Sequence, residues 1–237
     1  MDLLQEADML HSKSARTPLD SKLQLTMDGE SLGSFHVYQR LVEKLIYLTI
    51  TRPYISHAVS IVSQFMHSPI VAHMNLVKRI LCYLKWSIGR GILMKNNGHS
   101  QILGYTDADW AGNTLDRKSM TGYCVFDGGN LVSWKSKTQM VVAHSSAEAE
   151  YCAMASTASE LIWLKALLAD LGISHAQSMT FCFDNQAAMF IASDPVIATQ
   201  YTCSHDQLAD IFIKALPSDQ FHRILFKLGS INLLDPA

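Results

Sequence analysis

A chain of 237 residues with 49% apolar and 17% charged residues can form one large domain or two small ones with a sizeable core, which excludes a mainly disordered protein. The net charge of −2 gives no global argument for binding nucleic acid, although residues 1–100 carry +4 and residues 101–237 carry −6. The five dispersed cysteines predict reduced thiols of an intracellular protein, and the lack of a signal peptide or a long apolar run predicts no membrane partner.

The first part of the chain is predicted to be helical. A short amphipathic helix over Met1–Leu10 and a turn-rich segment over Ser12–Phe35 precede three stretches with apolar residues at helical spacing. These stretches run from Tyr38 to Thr51, from Ile55 to Met66 and from Ala72 to Leu84. We therefore predict a compact helical module over residues 1–98, and expect it to have a separate core that contains Leu45, Leu48, Val59, Val62, Leu76 and Ile80.

Beyond Gly98 the periodicity changes to that of strands. Two apolar runs are joined by Asp127-Gly-Gly-Asn130, which is a strong signal for a β-hairpin. The predicted strands are Ile102–Tyr105, Tyr123–Phe126, Leu131–Trp134, Met179–Phe183 and Val196–Thr202, and the predicted helices are Ser145–Asp170, Asn185–Ser193, Asp206–Leu216 and Ser218–Leu228. This order predicts an α/β fold in which flanking helices cover a five-stranded mixed sheet.

The first candidate functional residue ends the first of these strands. Asp107 follows an apolar run, and the two-residue period of a strand places Asp109 on the same face. Two carboxylates at the end of a core strand are costly unless a cation lies between them. Asp-Ala-Asp alone is nevertheless more typical of an acidic turn after a strand.

Three later acidic residues strengthen the metal interpretation. Glu150 lies near the start of the long helix, whereas Glu148 has capping-box spacing from Ser145 and so has a structural role. Asp184 ends an apolar strand, although a helix N-cap would also explain it, and Asp210 lies on a predicted helix whose solvated face would also explain it. Together these positions suit a two-metal phosphodiester site, in which one cation activates water and the other stabilises the leaving 3′ oxygen.

Several longer runs resemble one family. The chain resembles the carboxyl-terminal part of copia-type long-terminal-repeat retrotransposon Pol polyproteins, from the reverse transcriptase thumb or connection region through the ribonuclease H domain. The matching runs are Tyr38-Gln-Arg-Leu-Val, Leu45-Ile-Tyr-Leu-Thr, Thr51-Arg-Pro, Gly104-Tyr-Thr-Asp-Ala-Asp-Trp-Ala-Gly, Asp116-Arg-Lys-Ser, Gly122-Tyr-Cys-Val-Phe, Gly128-Gly-Asn-Leu-Val-Ser-Trp-Lys-Ser-Lys, Ser145-Ser-Ala-Glu-Ala-Glu-Tyr, Asp184-Asn-Gln and Asp206-Gln-Leu-Ala-Asp-Ile-Phe.

The resemblance implies a ribonuclease H-like fold with Asp107, Glu150, Asp184 and Asp210 as catalytic acids and metal ligands. It also implies Mg²⁺ or Mn²⁺ as cofactor and an RNA–DNA hybrid as the partner that is cleaved. The implied domains are a thumb/connection-like segment over 1–98, a ribonuclease H-like domain over 99–217 and a carboxyl-terminal helix and tail over 218–237. The paired aspartates of a polymerase palm are not among the matched runs, so polymerase activity is not implied. The sequence leaves the oligomeric state open.

The family has a longer segment between Asp184 and the last strand, which predicts an internal deletion near Pro195. We expect the strand Val196–Thr202 still to pair beside Met179–Phe183, with Asp210 misplaced and activity weak or absent. A catalytically inactive relic that retains some nucleic-acid binding is therefore an alternative. A further alternative is a haloacid-dehalogenase-type phosphotransferase, because Asp107-Ala-Asp109 resembles its nucleophile motif, although Ala111 stands where that motif has threonine.

Overall fold

The computed structural model describes residues 2–173, 175, 177–184 and 196–234. The chain forms two compact units. The first contains Met1–Ile92, Lys214–Phe226 and Ser230–Ala237, and the second contains Leu93–Ile213 and Lys227–Gly229. The predicted helix Asn185–Ser193 lies outside the described residues.

The described helices and strands follow the predicted order closely. The helices are α1 (Asp2–Glu6), α2 (Phe35–Leu48), α3 (Ser56–Ser63), α4 (Val71–Trp86), α5 (Ser146–Asp170) and α6 (Ser218–Lys227). The strands are β1 (Arg90–Ile92), β2 (Ile102–Asp109), β3 (Met120–Asp127), β4 (Asn130–Thr138), β5 (Met179–Phe183), β6 (Ile197–Tyr201) and β7 (Ser230–Asn232).

Helices α2, α3 and α4 bury the core of the first unit. Four residues of the predicted core are buried, namely Leu45, Val59, Val62 and Ile80, whereas Leu48 and Leu76 are half-buried. Tyr38 is fully buried, and its hydroxyl donates a hydrogen bond to the Val62 carbonyl at 2.6 Å. This bond satisfies the one polar atom of a large apolar side chain, so burial of Tyr38 leaves little desolvation cost.

Arg52 fixes the end of α4. Its guanidinium donates hydrogen bonds to the carbonyls of Ser87 at 2.7 Å and Ile88 at 2.9 Å, just beyond the helix. Carbonyls at a helix end have no partner within the helix, and a cation there also interacts favourably with the helix dipole. Arg52 itself lies between the first two predicted helical stretches, where Pro53 begins a 3-10 turn over Pro53–Ile55.

His57 makes the first unit sensitive to acid. Burial lowers the pKa of His57 to about 4 from the ordinary value of 6.5. As pH falls below 6.5, His57 becomes protonated in the unfolded chain but stays neutral in the folded protein. The contribution of His57 to the free energy of unfolding is therefore fully present above pH 6.5 and is lost as the pH falls towards 4. We expect the free energy of unfolding to fall by about 3 kcal/mol from this residue over that range. Denaturant unfolding at several pH values would measure the loss.

A matched pair of substitutions isolates this effect. The variant His57→Leu should lose most of the pH dependence, whereas His67→Leu, made at an exposed histidine, should retain it. Equal pH dependence in the wild type and His57→Leu would contradict the assignment of the acid sensitivity to His57.

The second unit contains the predicted α/β fold. Its sheet has five strands in the order β4-β3-β2-β5-β6, with β2, β3 and β4 antiparallel and β5 and β6 parallel to β2. The predicted α/β fold with a five-stranded mixed sheet is thus confirmed. The predicted hairpin joins β3 to β4 through Gly128 and Gly129, whose φ angles of 56° and 77° suit residues without a side chain.

Helix α5 covers one face of this sheet and runs antiparallel to β2. The Thr157 hydroxyl donates a hydrogen bond to the Thr106 hydroxyl at 2.9 Å, and a Cβ on Gly104 would lie 3.1 Å from the side chain of Leu161. By length and composition alone α5 could also cross a membrane. Thr157 packs over Thr106, and Leu161 packs over Gly104, which is nearer the start of β2. The first turns of α5 therefore lie at the end of the sheet where β2 ends.

Two features differ from the predictions. The helix predicted over Asp206–Leu216 is wrong, because the chain forms 3-10 turns over Ser204–Asp206 and Leu208–Phe212. Between the turns Gln207 is extended, with φ −68° and ψ 106°, and its side chain accepts a hydrogen bond from the Ala209 amide. That local bond competes with helical hydrogen bonding. Strands β1 and β7, which pair in a separate two-stranded sheet, were not predicted because three residues give no readable period.

Candidate carboxylate site

Asp107 lies near the end of β2 in the centre of the five-stranded sheet. Its side chain is only 9% exposed, and its Oδ1 accepts a hydrogen bond from the Ala108 amide at 2.8 Å. It is paired across the antiparallel ladder with Gly122 of β3, whose lack of a side chain lets another segment of the chain pack closely on the same face. The neighbouring residue Asp109 contacts Gly112 closely, so its carboxylate belongs to the turn after β2.

Asp184 follows the parallel strand β5 and is level with Asp107. The last residue pair of β2 and β5 is Tyr105 with Cys182, so Asp107 and Asp184 each lie two residues beyond it. The two-residue period places both on the same face of the sheet. One Asp184 carboxylate oxygen accepts a hydrogen bond from the Ser204 hydroxyl at 2.9 Å. The helix that Asp184 was expected to cap lies outside the described residues.

Asp210 is held in the turn that packs against Gly122. It is 3% exposed, and its turn approaches β3 so closely that a Cβ on Gly122 would lie 2.5 Å from Ile213, 3.0 Å from Phe212 and 3.1 Å from the Ala209 carbonyl. Because Gly122 pairs directly with Asp107, the turn with Asp210 lies over the same face that carries Asp107.

Gln207 connects this turn to the central strand. It is fully buried, and its amide donates a hydrogen bond to the Thr106 carbonyl at 2.9 Å while its oxygen accepts one from the Ala209 amide at 3.2 Å. Thr106 precedes Asp107, and Ala209 precedes Asp210. Gln207 is therefore a positioning residue between two candidate acids, and the sequence analysis missed it because a single glutamine gives no periodic or spacing signal.

We expect Gly122→Ala to displace the turn that carries Asp210. The added methyl group would overlap Ile213 and press on backbone and side-chain atoms of the turn, at a cost of about 1–3 kcal/mol. The variant should remain folded with a lower melting temperature, measured by thermal unfolding. The control is Gly91→Ala, because a Cβ on Gly91 meets no atom within 4 Å. An equal melting temperature for Gly122→Ala and the wild type would show that the turn can move to accommodate the methyl group without loss of stability.

Glu148 and Glu150 have different positions at the start of α5. The Ser145 hydroxyl accepts a hydrogen bond from the Glu148 amide at 3.2 Å, and the Glu148 carboxylate accepts one from the His144 amide at 2.7 Å. This is the helix-capping role that the spacing predicts for Glu148. Glu150 is half-buried one residue beyond Ala149, whose carbonyl accepts a hydrogen bond from buried Gln139 at 2.8 Å. Gln139 thus fixes the helix turn that carries Glu150.

Asp107, Asp184 and the Asp210 turn lie at one end of the sheet and, by the two-residue period of strands, on one face of it. Helix α5 packs on the opposite face, over Gly104 and Thr106, so Glu150 lies at the same end of the sheet but on the helix of the other face. In the part of the chain that is described, no three or more His, Cys, Asp or Glu side chains lie close enough together to hold a metal ion. The donors fit a hard divalent cation in their chemistry, because all are carboxylates. Carboxylates repel one another when no cation lies between them, which favours a more open arrangement of this donor set.

The surrounding groups do not compete as acids or nucleophiles. Tyr105 precedes Asp107 by two residues, and burial raises the pKa of its phenol to about 12, so it stays neutral at physiological pH. Burial also raises the pKa of the Cys124 thiol well above its ordinary value and raises that of Cys182. All five cysteines are free. Burial therefore favours the neutral forms of Tyr105, Cys124 and Cys182 near the candidate carboxylates.

Two retrovirus-related polyproteins are similar to this chain over nearly its whole length. The chain is 37% identical to the retrovirus-related Pol polyprotein from transposon RE2 of Arabidopsis thaliana over 98% of its own length and 18% of that protein. It is 34% identical to the corresponding polyprotein from transposon TNT 1-94 of Nicotiana tabacum over 94% of its length and 17% of that protein. The chain thus spans less than a fifth of these relatives.

A solved structure of LC11-RNase H1, isolated from compost, matches 54% of this chain and 75% of its own, with 18% identity and a TM-score of 0.29. No protein-family model matches the chain. The alignment with transposon RE2 spans 257 positions, more than this chain contains, so the chain lacks residues that the relative has.

Proposed function

The chain belongs to the family of copia-type, retrovirus-related Pol polyproteins, and on that premise we propose that its five-stranded unit is a ribonuclease H-type domain that hydrolyses RNA in RNA–DNA hybrids. The proposed domain spans residues 99–217, after a thumb/connection-like segment over 1–98 and before a carboxyl-terminal helix and tail over 218–237. Its proposed place of action is inside the cell, in the cytoplasm or the nucleus.

One observation carries this proposal. The register of the parallel strands β2 and β5 ends at Tyr105 with Cys182, and Asp107 and Asp184 each follow that pair by two residues, which supports a shared position at this end of the sheet. The turn that carries Asp210 packs against Gly122, the partner of Asp107 across the ladder. Several carboxylates held on rigid elements are what binding of divalent cations beside a scissile phosphate requires.

The proposed ligands are Asp107, Glu150, Asp184 and Asp210, for Mg²⁺ or Mn²⁺. Cations bound there would activate the attacking water and stabilise the leaving 3′ oxygen. In this proposal Asp107 is carried by β2 and Asp184 follows β5. The turn of Asp210 is linked to β2 through Gln207, and the helix turn of Glu150 is bonded to Gln139. Recognition of the hybrid would depend on groove shape and 2′-hydroxyl contacts rather than on base sequence.

The test is cleavage of a labelled RNA–DNA hybrid by the purified chain in Mg²⁺, with Mn²⁺ and EDTA in parallel. We expect weak cleavage of the RNA strand, none of duplex DNA, and none in EDTA. A second protein, in which the segment missing relative to transposon RE2 is inserted after Pro195, should cleave roughly a hundredfold faster if a displacement of about 1 Å is corrected. Cleavage of duplex DNA at the same rate, or cleavage that persists in EDTA, would contradict the proposal.

A second candidate is hybrid binding without cleavage. It is favoured by the absence of a closed group of three metal-binding side chains among the described residues and by the residues that this chain lacks relative to transposon RE2. Hybrid binding by the unaltered chain, combined with cleavage only after the insertion, would support this candidate. No observation favours the phosphotransferase alternative, because β2 is followed by an antiparallel hairpin partner, β3.

A further inference from the structure

Two loops at the carboxylate end of the sheet each expose large apolar side chains. One loop joins β2 to β3, and the other joins β4 to α5. Trp110 is 47% exposed and Met140 is 84% exposed, and Leu115, Val141 and Val142 are exposed as well. We call these five residues the loop platform. Single exposed apolar residues are common. Here, however, Trp110 of one loop is bonded to Ala143 of the other, so the exposed apolar residues of both loops lie in one region, and such a group indicates a binding surface.

The loop platform is held in place by hydrogen bonds between the two loops. The indole nitrogen of Trp110 donates to the Ala143 carbonyl at 3.1 Å, and the Gln139 amide donates to the Ser119 carbonyl at 2.8 Å. Because its polar edge is bonded within the protein, the indole of Trp110 presents an apolar ring to solvent. A preorganised aromatic surface loses little conformational entropy when it binds a flat ligand.

The loop platform lies beside the candidate carboxylates and has basic neighbours. Trp110 is three residues beyond Asp107, and the β4–α5 loop leads directly to the helix turn of Glu150. The β2–β3 loop also carries exposed Arg117 and partly exposed Lys118, whose ammonium is 3.8 Å from Asp116. Cations next to an apolar aromatic surface match the chemistry of a nucleic-acid strand, which alternates phosphates with flat bases.

We propose that the loop platform binds unpaired nucleotides next to the hybrid, with Trp110 stacking on a base; this inference deepens the proposed function and rests on it. In a continuous duplex the faces of the bases are covered by their neighbours, so an exposed indole has nothing to stack on. At the end of a hybrid, an unpaired extension offers a free base face and phosphates within reach of Arg117. The preferred substrate class is therefore a hybrid with a single-stranded extension, rather than a blunt or continuous hybrid.

The test measures binding separately from cleavage, in the full chain with Asp107→Asn. Fluorescence anisotropy compares a blunt hybrid with hybrids that carry a short unpaired extension on the RNA or on the DNA strand. We expect an extended hybrid to bind more tightly than the blunt one. Trp110→Ala should weaken binding of the extended hybrid by roughly 5- to 150-fold and leave the blunt hybrid nearly unchanged. Trp110→Phe should retain most of the preference, because it keeps an aromatic ring.

The matched control is Trp163→Ala on α5, since Trp163 is 56% exposed and far along the helix from the loop platform. It should not change either affinity. Equal affinities for blunt and extended hybrids, or equal losses for both in Trp110→Ala, would overturn the inference. Self-association of the free protein that Trp110→Ala abolishes would instead assign the loop platform to a second copy of this chain. Because these binding measurements do not depend on cleavage, they distinguish a failure of this inference from a failure of the proposed nuclease activity.

Discussion

Replacing Asp107 by asparagine is expected to abolish hybrid cleavage, with a loss of roughly a hundredfold or more in rate. Asparagine retains an oxygen that can accept the hydrogen bond from the Ala108 amide, so the local backbone should not change. Removing one negative charge beside Asp184 also relieves repulsion when no cation is bound. The melting temperature without metal should therefore stay the same or rise while activity is lost. Hybrid cleavage and thermal unfolding of the same preparation measure the two effects.

The control is Asp170→Asn at the exposed, carboxyl-terminal end of α5. It makes the same chemical change in the same unit, and removing a negative charge from a helix end of negative polarity should be neutral or slightly stabilising. Undiminished cleavage by Asp107→Asn would exclude Asp107 as a catalytic acid. Lost cleavage together with a large fall in melting temperature would indicate that Asp107 is needed for folding instead.

The features that the sequence predicted well are determined within a few residues of chain. The hairpin between β3 and β4 depends on Gly128 and Gly129, which adopt left-handed conformations that cost other residues free energy. The start of α5 depends on Ser145 and Glu148, whose spacing allows both capping hydrogen bonds. Each of these signals depends only on neighbouring residues and needs no contact with a distant part of the chain.

The features that the sequence did not predict depend on contacts across long separations. Gln207 ends the 3-10 turn at Asp206 by reaching the Thr106 carbonyl, about a hundred residues earlier in the chain. The apolar spacing after Asp206 would suit a helix equally well, so local propensity pointed to the wrong structure. Arg52 satisfies carbonyls after α4 in the same long-range manner. A polar side chain gives no sequence signal for the distant group that it will bind.

The candidate site was predictable to the extent that it depends on strand ends. Asp107 and Asp184 both follow apolar runs, and each lies two residues beyond the last pair of the parallel strands β2 and β5. Their register, and the approach of the Asp210 turn to Gly122, depend on tertiary packing that no spacing reveals. Whether the carboxylates close around a cation depends further on their mutual repulsion, which is a property of the assembled site.

The prediction that the last strand still pairs is confirmed. Strand β6 lies parallel to β5 over five residue pairs, from Met179 with Ile197 to Phe183 with Tyr201. Hydrogen bonds continue beyond both ends, from the Met179 amide to the Val196 carbonyl at 3.0 Å and from the Thr202 amide to the Phe183 carbonyl at 2.9 Å. The pairing covers the edge of β5 that would otherwise expose unpaired backbone groups. After β6 the chain continues into the two 3-10 turns that flank Gln207.

Gln207→Met is expected to be the most destabilising single change at the site that leaves every carboxylate in place. Methionine has a similar shape but cannot donate to the Thr106 carbonyl or accept from the Ala209 amide. Both backbone groups would be left unpaired in a buried position, at a cost of about 2–4 kcal/mol in the free energy of unfolding. The turn of Asp210 would also lose its link to β2, so hybrid cleavage should fall even at temperatures where the variant is fully folded.

Gln101→Met is the control for this substitution. Gln101 is exposed at the opposite end of β2, so the same chemical change there should alter stability by less than about 0.5 kcal/mol. Denaturant unfolding gives the free energies, and cleavage by the folded variants gives the rates. If Gln207→Met matched the wild type in stability, the two hydrogen bonds would contribute nothing net. If it lost stability but cleaved at the full rate when folded, Gln207 would support the fold without positioning Asp210.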